Sequence, residues 1–399
     1  MANILLITDY YPPRKSIATN RMKAFDKYLS QLGHKMFVIT LGDKEKSIVE
    51  GTTAVFYCQD SDAIKKLDTS IKESTLKHYF KCAWNIFCNN IHLYSASWVK
   101  SIISVAEMVI QNNNIDVMIT SYPSIGTIVA GEKIKGKYPN IKWIMDMRDA
   151  VWTPGNSEFV RNKMVGITKK SMAVCDAVTS VSAAQLQQYK KYNTRTIDFA
   201  VIKNGYDFEV PKINGSIHDS FKIVYTGNFY GARSPQNFLI AFEHFVRKNN
   251  INDACFEIIG NGSVVHFNNN LQEYVIEKPR LEYGELVNYC AACADLLLVV
   301  IPKSQEQGVY TGKLFDYIGI GKPILGLVPK DDVAAELIMQ AGNGYIAENE
   351  NVDEIEEAIY KAYIDWKNHI VPEIDKSVQE FCHRRVQVAK LDELIQRLC

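Results

Sequence analysis

Short β-branched apolar runs alternate with longer amphipathic stretches along almost the whole chain, and the alternation breaks once before resuming. Before the break, residues 3–8, 35–40, 116–121, 143–147 and 177–181 read as buried strands, with helices such as 20–32 between them. Val201 and Ile202 begin a further short strand that ends at the turn signal Asn204-Gly205. Residues 208–220 are polar, contain Pro211 and Gly215, show no period and read as a linker. After it, 221–225, 255–259, 296–300 and 324–327 read as strands. Residues 235–248, 285–292, 311–318, 333–341 and 353–366 read as helices, and 376–398 as a last helix with no strand of its own. Such alternation in both halves predicts an α/β chain of two parallel-sheet domains, whose ligands sit at the carboxyl ends of the strands.

Size and charge narrow the function classes. The 399 residues suit two large domains, each able to bury an ordinary core. Lys plus Arg and Asp plus Glu both number 45, so bulk charge does not drive nucleic-acid binding, and none is expected as a partner. No run is long and apolar enough for a spanning helix, and the N-terminus reads as a first strand, not a signal peptide. Nine scattered cysteines include one C-x-x-C, Cys290 and Cys293, with no second pair or His cluster beside it. Reduced, buried thiols in a cytoplasmic protein are the expectation, with no zinc site.

Five stretches carry candidate chemistry. In Tyr225-Thr226-Gly227-Asn228-Phe229-Tyr230-Gly231-Ala232-Arg233, ahead of Pro235, glycines admit a ligand to the backbone and Arg233 stands before a helix start, a setting for phosphate. A plain turn with a surface Arg is the other reading. Residues 301–323 hold Glu306, Gly308 and Tyr310. There Thr311 is a natural N-cap, Gly312 and Lys313 lie in the first turn, and Asp316 follows one turn later, suited to a ribose diol. The alternative is a capped helix with a Lys313–Asp316 pair. Gly260-Asn261-Gly262 after a strand lacks the third glycine of a dinucleotide fingerprint, since position 265 is Val. Asp146, Arg148 and Asp149, with Trp152 beyond, end an apolar strand, so they either face a cleft or pair with each other. Between Glu73 and Glu107 there is no acidic residue. The basic and aromatic side chains at 76–101 suit either an anionic lipid surface or covered helices with snorkelling lysines.

Taken in order, these pieces resemble glycosyltransferase family 4, and within it bacterial members that build surface polysaccharides. The likeness rests on Gly33-His34, on Asp146-Met147-Arg148-Asp149 and on Val201 to Asp207. It continues through Tyr225-Thr226-Gly227, Ile259-Gly260-Asn261-Gly262, Thr311 to Tyr317 and Gly321-Lys322-Pro323. It implies a GT-B fold of two Rossmann-like domains facing across a cleft. Residues 1–207 would bind the acceptor, 208–375 the nucleotide sugar, and 376–399 would cross back to the first domain. It implies a retaining, metal-independent transferase with no cofactor. Arg233 and Lys313 would stabilise the departing diphosphate, and Arg148 and Asp149 would contact the transferred sugar or the acceptor. Donor binding falls to Gly227, Asn228, Gly260, Gly262, Arg280, Glu306, Tyr310, Thr311, Gly312 and Asp316.

The chain departs from the family pattern at three places. Gly308 stands where the first Glu of the E-x7-E motif belongs, which makes Glu306 a stand-in. Gln236 and Asn237 stand where a Lys is usual after the loop Arg, so Lys313 supplies that charge. Pro12-Pro13-Arg14-Lys15-Ser16 replaces a Gly-Gly loop. The expected activity is transfer from a nucleotide sugar, UDP-linked, to a saccharide or a polyprenyl-diphosphate-linked saccharide for capsule or O-antigen. Peripheral membrane contact would run through 76–101. A nucleotide-sugar 2-epimerase of the same fold and a non-catalytic sugar-nucleotide-binding partner are the alternatives.

Overall fold

The computed structural model describes residues 1–60, 93–152, 155–211, 219–229, 233–260, 267, 269–303 and 308–399. Met1–Lys203 with Gln387–Cys399 forms one compact unit, and Asn204–Val386 forms a second.

The first unit is built on eight strands: β1 (Asn3–Thr8), β2 (Lys35–Gly42), β3 (Lys46–Glu50), β4 (Thr53–Gln59), β5 (Val117–Tyr122), β6 (Lys142–Met147), β7 (Ala177–Ser180) and β8 (Asp198–Val201). Their order is β3-β4-β2-β1-β5-β6-β7-β8. Helices α1 (Ile17–Gln31), α2 (Ala96–Asn112), α3 (Ile125–Lys137), α4 (Glu158–Met172) and α5 (Ala183–Lys190) connect them. The β1 sequence is apolar throughout because both faces are covered. Leu5 and Ile7 join a core with Trp98 and Ile102 of α2. Ile4 and Leu6 join the opposite core with Met22 and Phe25 of α1 and with Val388 and Leu391 near the C-terminus. The sheet is parallel except for β3–β4, an antiparallel hairpin that the strand–helix alternation did not suggest. Gly51, at φ 61°, makes its turn.

The second unit orders its six parallel strands β11-β10-β9-β12-β13-β14. These are β9 (Phe221–Thr226), β10 (Ala254–Ile259), β11 (Val275–Lys278), β12 (Leu296–Val300), β13 (Ile324–Leu327) and β14 (Gly344–Ala347). Around them lie α6 (Gln236–Lys248), α7 (Tyr283–Cys293), α8 (Gly312–Ile320), α9 (Val333–Ala341), α10 (Val352–Lys367) and α11 (Lys376–Phe381). The last stretch is two helices, not one. The chain breaks at Cys382-His383 before α12 (Arg384–Leu398). There the Tyr206 amide donates to the Cys382 carbonyl and the Arg384 amide to the Tyr206 carbonyl, at 3.2 and 2.9 Å, which removes these groups from helical pairing. The same pairing ties Asn204–Phe208 to the second unit, so the division falls before residue 207.

In each sheet the chain reverses its direction of winding once: between β1 and β5 in the first unit, between β9 and β12 in the second. Crevices open at the carboxyl ends of the strands at such points.

Candidate functional site

The loops after β9 and β12 border the switch point of the second unit. Gly227, at φ 90°, takes the first residue of one loop through a left-handed turn, and its amide donates to the Ile259 carbonyl at 2.7 Å. A Cβ at that position would lie 3.1 Å from Lys313 Cε. A Cβ at Gly260 would lie 2.6 Å from the Gly227 carbonyl oxygen and 2.9 Å from Asn228 Oδ1. The two glycines therefore let two strand ends and the start of α8 crowd together.

Lys313, in the first turn of α8, holds its Nζ 3.8 Å from the centroid of Tyr225. It forms no ion pair with Asp316 or with any other carboxylate among the described residues, which sets aside the paired-helix reading. Burial, and secondly the Arg233 charge beside it, push the ammonium down to about 7. Two cations therefore converge at the start of a helix whose free amides add partial positive charge. Thr311 is the N-cap residue, as the sequence suggests, but its side chain does not cap. Its Oγ1 is buried with no hydrogen-bond partner. An unmet hydroxyl at a helix start beside two cations suits an anionic group accepting from all of them.

Asp316 faces α7. Its Oδ1 accepts from the Tyr283 hydroxyl at 2.6 Å. Burial raises the carboxyl to about 6, against the Tyr283 hydrogen bond and the Arg384 charge, which lower it. Phe208 packs edge-on against Tyr283, their centroids 6.1 Å apart. Tyr317 anchors α8 to β9, its hydroxyl 3.0 Å from both the amide and Oγ1 of Thr226. The Tyr283–Asp316 and Tyr317–Thr226 contacts have no marker in the local sequence, because each joins partners distant along the chain.

The other expected donor residues are placed variously. Gly312 opens α8, and Tyr310 packs on Phe315 at 5.2 Å. Arg280 is exposed beyond β11. Gly262 and Glu306 lie outside the described residues. Gly308 sits at φ 82° with its amide donating to Asp332 Oδ1 at 2.8 Å, a left-handed conformation that a glutamate would adopt only under strain.

In the first unit, Asp146 is not paired with Arg148. Its carboxylate takes Arg21 Nε and Nη2 at 3.1 and 2.7 Å and Thr179 Oγ1 at 2.8 Å, all deeply buried. Arg148, which is 9% exposed, donates through Nε to Ser121 Oγ and the Tyr122 carbonyl at 3.2 and 2.9 Å. Its Nη2 is buried without a partner. The Asp149 residue is exposed, and its carbonyl accepts from the Tyr189 hydroxyl. Of the basic, aromatic stretch, 76–92 lies outside the described residues. Trp98 is a core residue, 1% exposed, donating to Asp9 Oδ1 at 2.7 Å, so it offers nothing to a lipid surface. No described helix is long and apolar enough to cross a membrane. Cys290 is buried and Cys293 half-buried, both free thiols.

No protein-family model and no curated protein matches the chain. Solved structures do. A sucrose-phosphate synthase from Thermosynechococcus elongatus aligns over 100% of this chain and 99% of its own, with a TM-score of 0.68 at 13% identity. An α,α-trehalose 6-phosphate synthase from Burkholderia multivorans aligns over 100% and 99%, with a TM-score of 0.66 at 8% identity. An Escherichia coli trehalose-6-phosphate protein, bound with UDP-2-fluoro glucose, aligns over 100% and 96%, with a TM-score of 0.62 at 10% identity. At these identities the likeness is one of architecture, and the architecture is the GT-B fold: two Rossmann-like units in one chain.

Proposed function

We propose that the chain is a glycosyltransferase that takes its sugar from a nucleotide diphosphate donor, UDP-linked, held by the second unit. The observation that carries this reading is the convergence of Arg233, Lys313 and the start of α8 at the switch point, with Asp316 one turn further along. A diphosphate supplies the counter-charge that Lys313 lacks, and Asp316 accepts from the pentose hydroxyls. Transfer breaks the bond between the anomeric carbon and the diphosphate oxygen. The negative charge that develops on that oxygen is met by Arg233, Lys313 and the Thr311 and Gly312 amides. The UDP-2-fluoro glucose in one structural relative supports a uridine nucleotide. Gly227, Asn228 and Gly260 shape the floor of the site, and Tyr310 a wall.

The first unit binds the acceptor, with Arg148 and Asp149 at its strand ends. A saccharide, free or linked to polyprenyl diphosphate, for a bacterial surface polysaccharide is the acceptor class drawn from the family 4 resemblance. Retention of configuration and independence from metal come from the same resemblance.

The test is calorimetric titration of the full chain with UDP and UDP-sugars, followed by acceptor screening with mass detection. Micromolar UDP binding that Lys313→Ala and Asp316→Ala each weaken supports the donor reading, and unchanged binding in both rejects it. UDP-sugar turned over to an epimer without acceptor would assign the epimerase. Tight binding with no turnover would assign the non-catalytic partner, the reading that Gly308 in place of a carboxylate favours.

A further inference from the structure

The chain passes between its two units after Lys203 and again after Val386. Just inside the second unit the two crossing segments lie against each other. The Arg384 amide donates to the Tyr206 carbonyl at 2.9 Å, and Arg384 Nε to the Gly205 carbonyl at 2.6 Å. The arginine is 8% exposed. Gly205 makes this approach possible, since a Cβ there would collide with the Cys382 carbonyl oxygen and lie 3.1 Å from Arg384 Cγ.

The same segments pack on the helix that carries Asp316. Gly319, near the end of α8, gives them room: a Cβ there would lie 2.5 Å from Tyr206 Cγ and 2.8 Å from Phe208 Cζ. The Tyr206 ring meets Phe208 at 5.0 Å between centroids and His383 at 4.9 Å. Phe208 in turn stands edge-on to Tyr283, whose hydroxyl donates to Asp316. A continuous run of packed groups thus leads from both crossing segments to one carboxylate. The Arg384 charge acts on both members of the Tyr283–Asp316 pair, opposing the rise that burial causes in each. The other titratable groups nearby do not supply this. Cys290 of α7 stays a neutral thiol, pushed up to about 12 chiefly by burial. Asp207 acts on Tyr283 with the opposite sign, and Lys313, on the same helix as Asp316, rests on the Tyr225 ring.

We propose that Arg384 and Phe208 are positioning residues of the donor site: Phe208 braces Tyr283 against Asp316, and Arg384, clamped to Gly205, supplies the cation that keeps the Asp316 carboxylate an acceptor for the pentose hydroxyls. The proposal rests on the donor role given above to Asp316. Both residues act on the donor through Asp316. Arg384 combines two functions that a lysine separates, because Arg384→Lys keeps the charge and loses the Nε bond to Gly205.

The experiment uses the full chain, isotope-labelled at the aspartate carboxyl carbons, with Asp316→Asn identifying the Asp316 signal in an NMR titration. This follows the carboxyl without nucleotide, so a failed donor reading leaves the result intact. Arg384→Gln is expected to move the Asp316 midpoint upward by about half a pH unit or more, and Arg384→Lys to leave it near that of the parent chain. Calorimetry with a UDP-sugar should then show Arg384→Gln binding about twofold or more weakly at pH 6 and like the parent at pH 8, whereas a merely structural loss weakens binding equally at both. Phe208→Leu is expected to raise the midpoint too, and to add nothing in a Tyr283→Phe background, because it acts through that hydroxyl. Thermal melting shows which variants fold. Should Arg384→Gln not fold, Phe208→Leu, alone and combined with Tyr283→Phe, carries the test. An unmoved midpoint in folded Arg384→Gln would overturn the proposal. So would an equal shift in Arg384→Lys, equal weakening at both pH values, or additive effects of Phe208→Leu and Tyr283→Phe. A shifted midpoint in a chain whose parent form binds no UDP-sugar would reject the donor reading alone and leave the coupling of Arg384 to Asp316 standing.

Discussion

The Tyr283 hydroxyl holds Asp316 by a 2.6 Å hydrogen bond across two helices. Asp316 is raised to about 6 by burial, and the Tyr283 bond works against that rise. A pentose diol donates to the ionised carboxylate, so donor affinity falls as pH drops through about 6. Tyr283→Phe removes a lowering contact and moves this acid limb upward. Calorimetry with a UDP-sugar, whose diphosphate diester keeps a constant charge, should show weakening of several-fold near pH 6 and little near pH 8. An acid limb unmoved in Tyr283→Phe would contradict it.

Lys313 sets the opposite limb. With its ammonium lowered to about 7, the free protein loses that charge as pH rises through neutrality, and affinity for the diphosphate falls with it. Donor binding should therefore be bell-shaped, highest between the two limbs. Lys313→Met should abolish the alkaline limb and lower turnover by about 100-fold, the usual effect of losing one charge-stabilising group. The stability sign runs the other way. A lysine lowered in the folded state destabilises it below that value, and the penalty fades as pH rises towards the unfolded value. The Met variant should melt no lower than the parent chain at pH 6.

Asp146 tests the division between framework and chemistry. Its buried, two-pronged pair with Arg21 joins β6 to α1, and Arg21 also donates to the Lys203 carbonyl at 3.1 Å. Removing one partner strands the other charge, so Arg21→Ala should cost about 3–5 kcal/mol in urea unfolding. Arg148→Gln should cost less, because Arg148 has no direct ion pair to break among the described residues, its attraction to Asp146 and Asp149 acting at a distance. The reverse order would mean that the two arginines have been assigned the wrong roles.

Gly308 is a conformational requirement. Gly308→Glu, which introduces the carboxylate that the family 4 resemblance leads one to expect, puts a side chain at φ 82° and disturbs an amide held by Asp332. We expect a loss of about 1–2 kcal/mol and no gain in donor affinity. Asp332 also accepts from the Val333 amide at 2.7 Å, so Asp332→Ala should lose about 1 kcal/mol through the cap of α9 as well. Tighter donor binding by Gly308→Glu would show that the loop accepts the carboxylate.

Local period and turn chemistry made much of the fold legible. Leu296–Val300, Ile324–Leu327 and Val333–Ala341 have the bounds read from the sequence, because a strand buried on both faces and a helix ended by a glycine are written in consecutive residues. The β3–β4 hairpin, β11 and β14 were not legible. Their short, half-exposed sequences become strands only by pairing with neighbours already in place. For the candidate site, sequence alone marked the glycine turns, Arg233, Lys313, Asp316 and Arg148 as residue types suited to anions and sugars. It could not say which charges are paired. Asp146 met Arg21 from 125 positions away and Asp316 met Tyr283 from 33 positions away, while Lys313 came to rest on an aromatic ring. Pairing is a property of distance in the folded chain. Only tertiary packing, which determines which groups leave water together, decided which of these charges are paired.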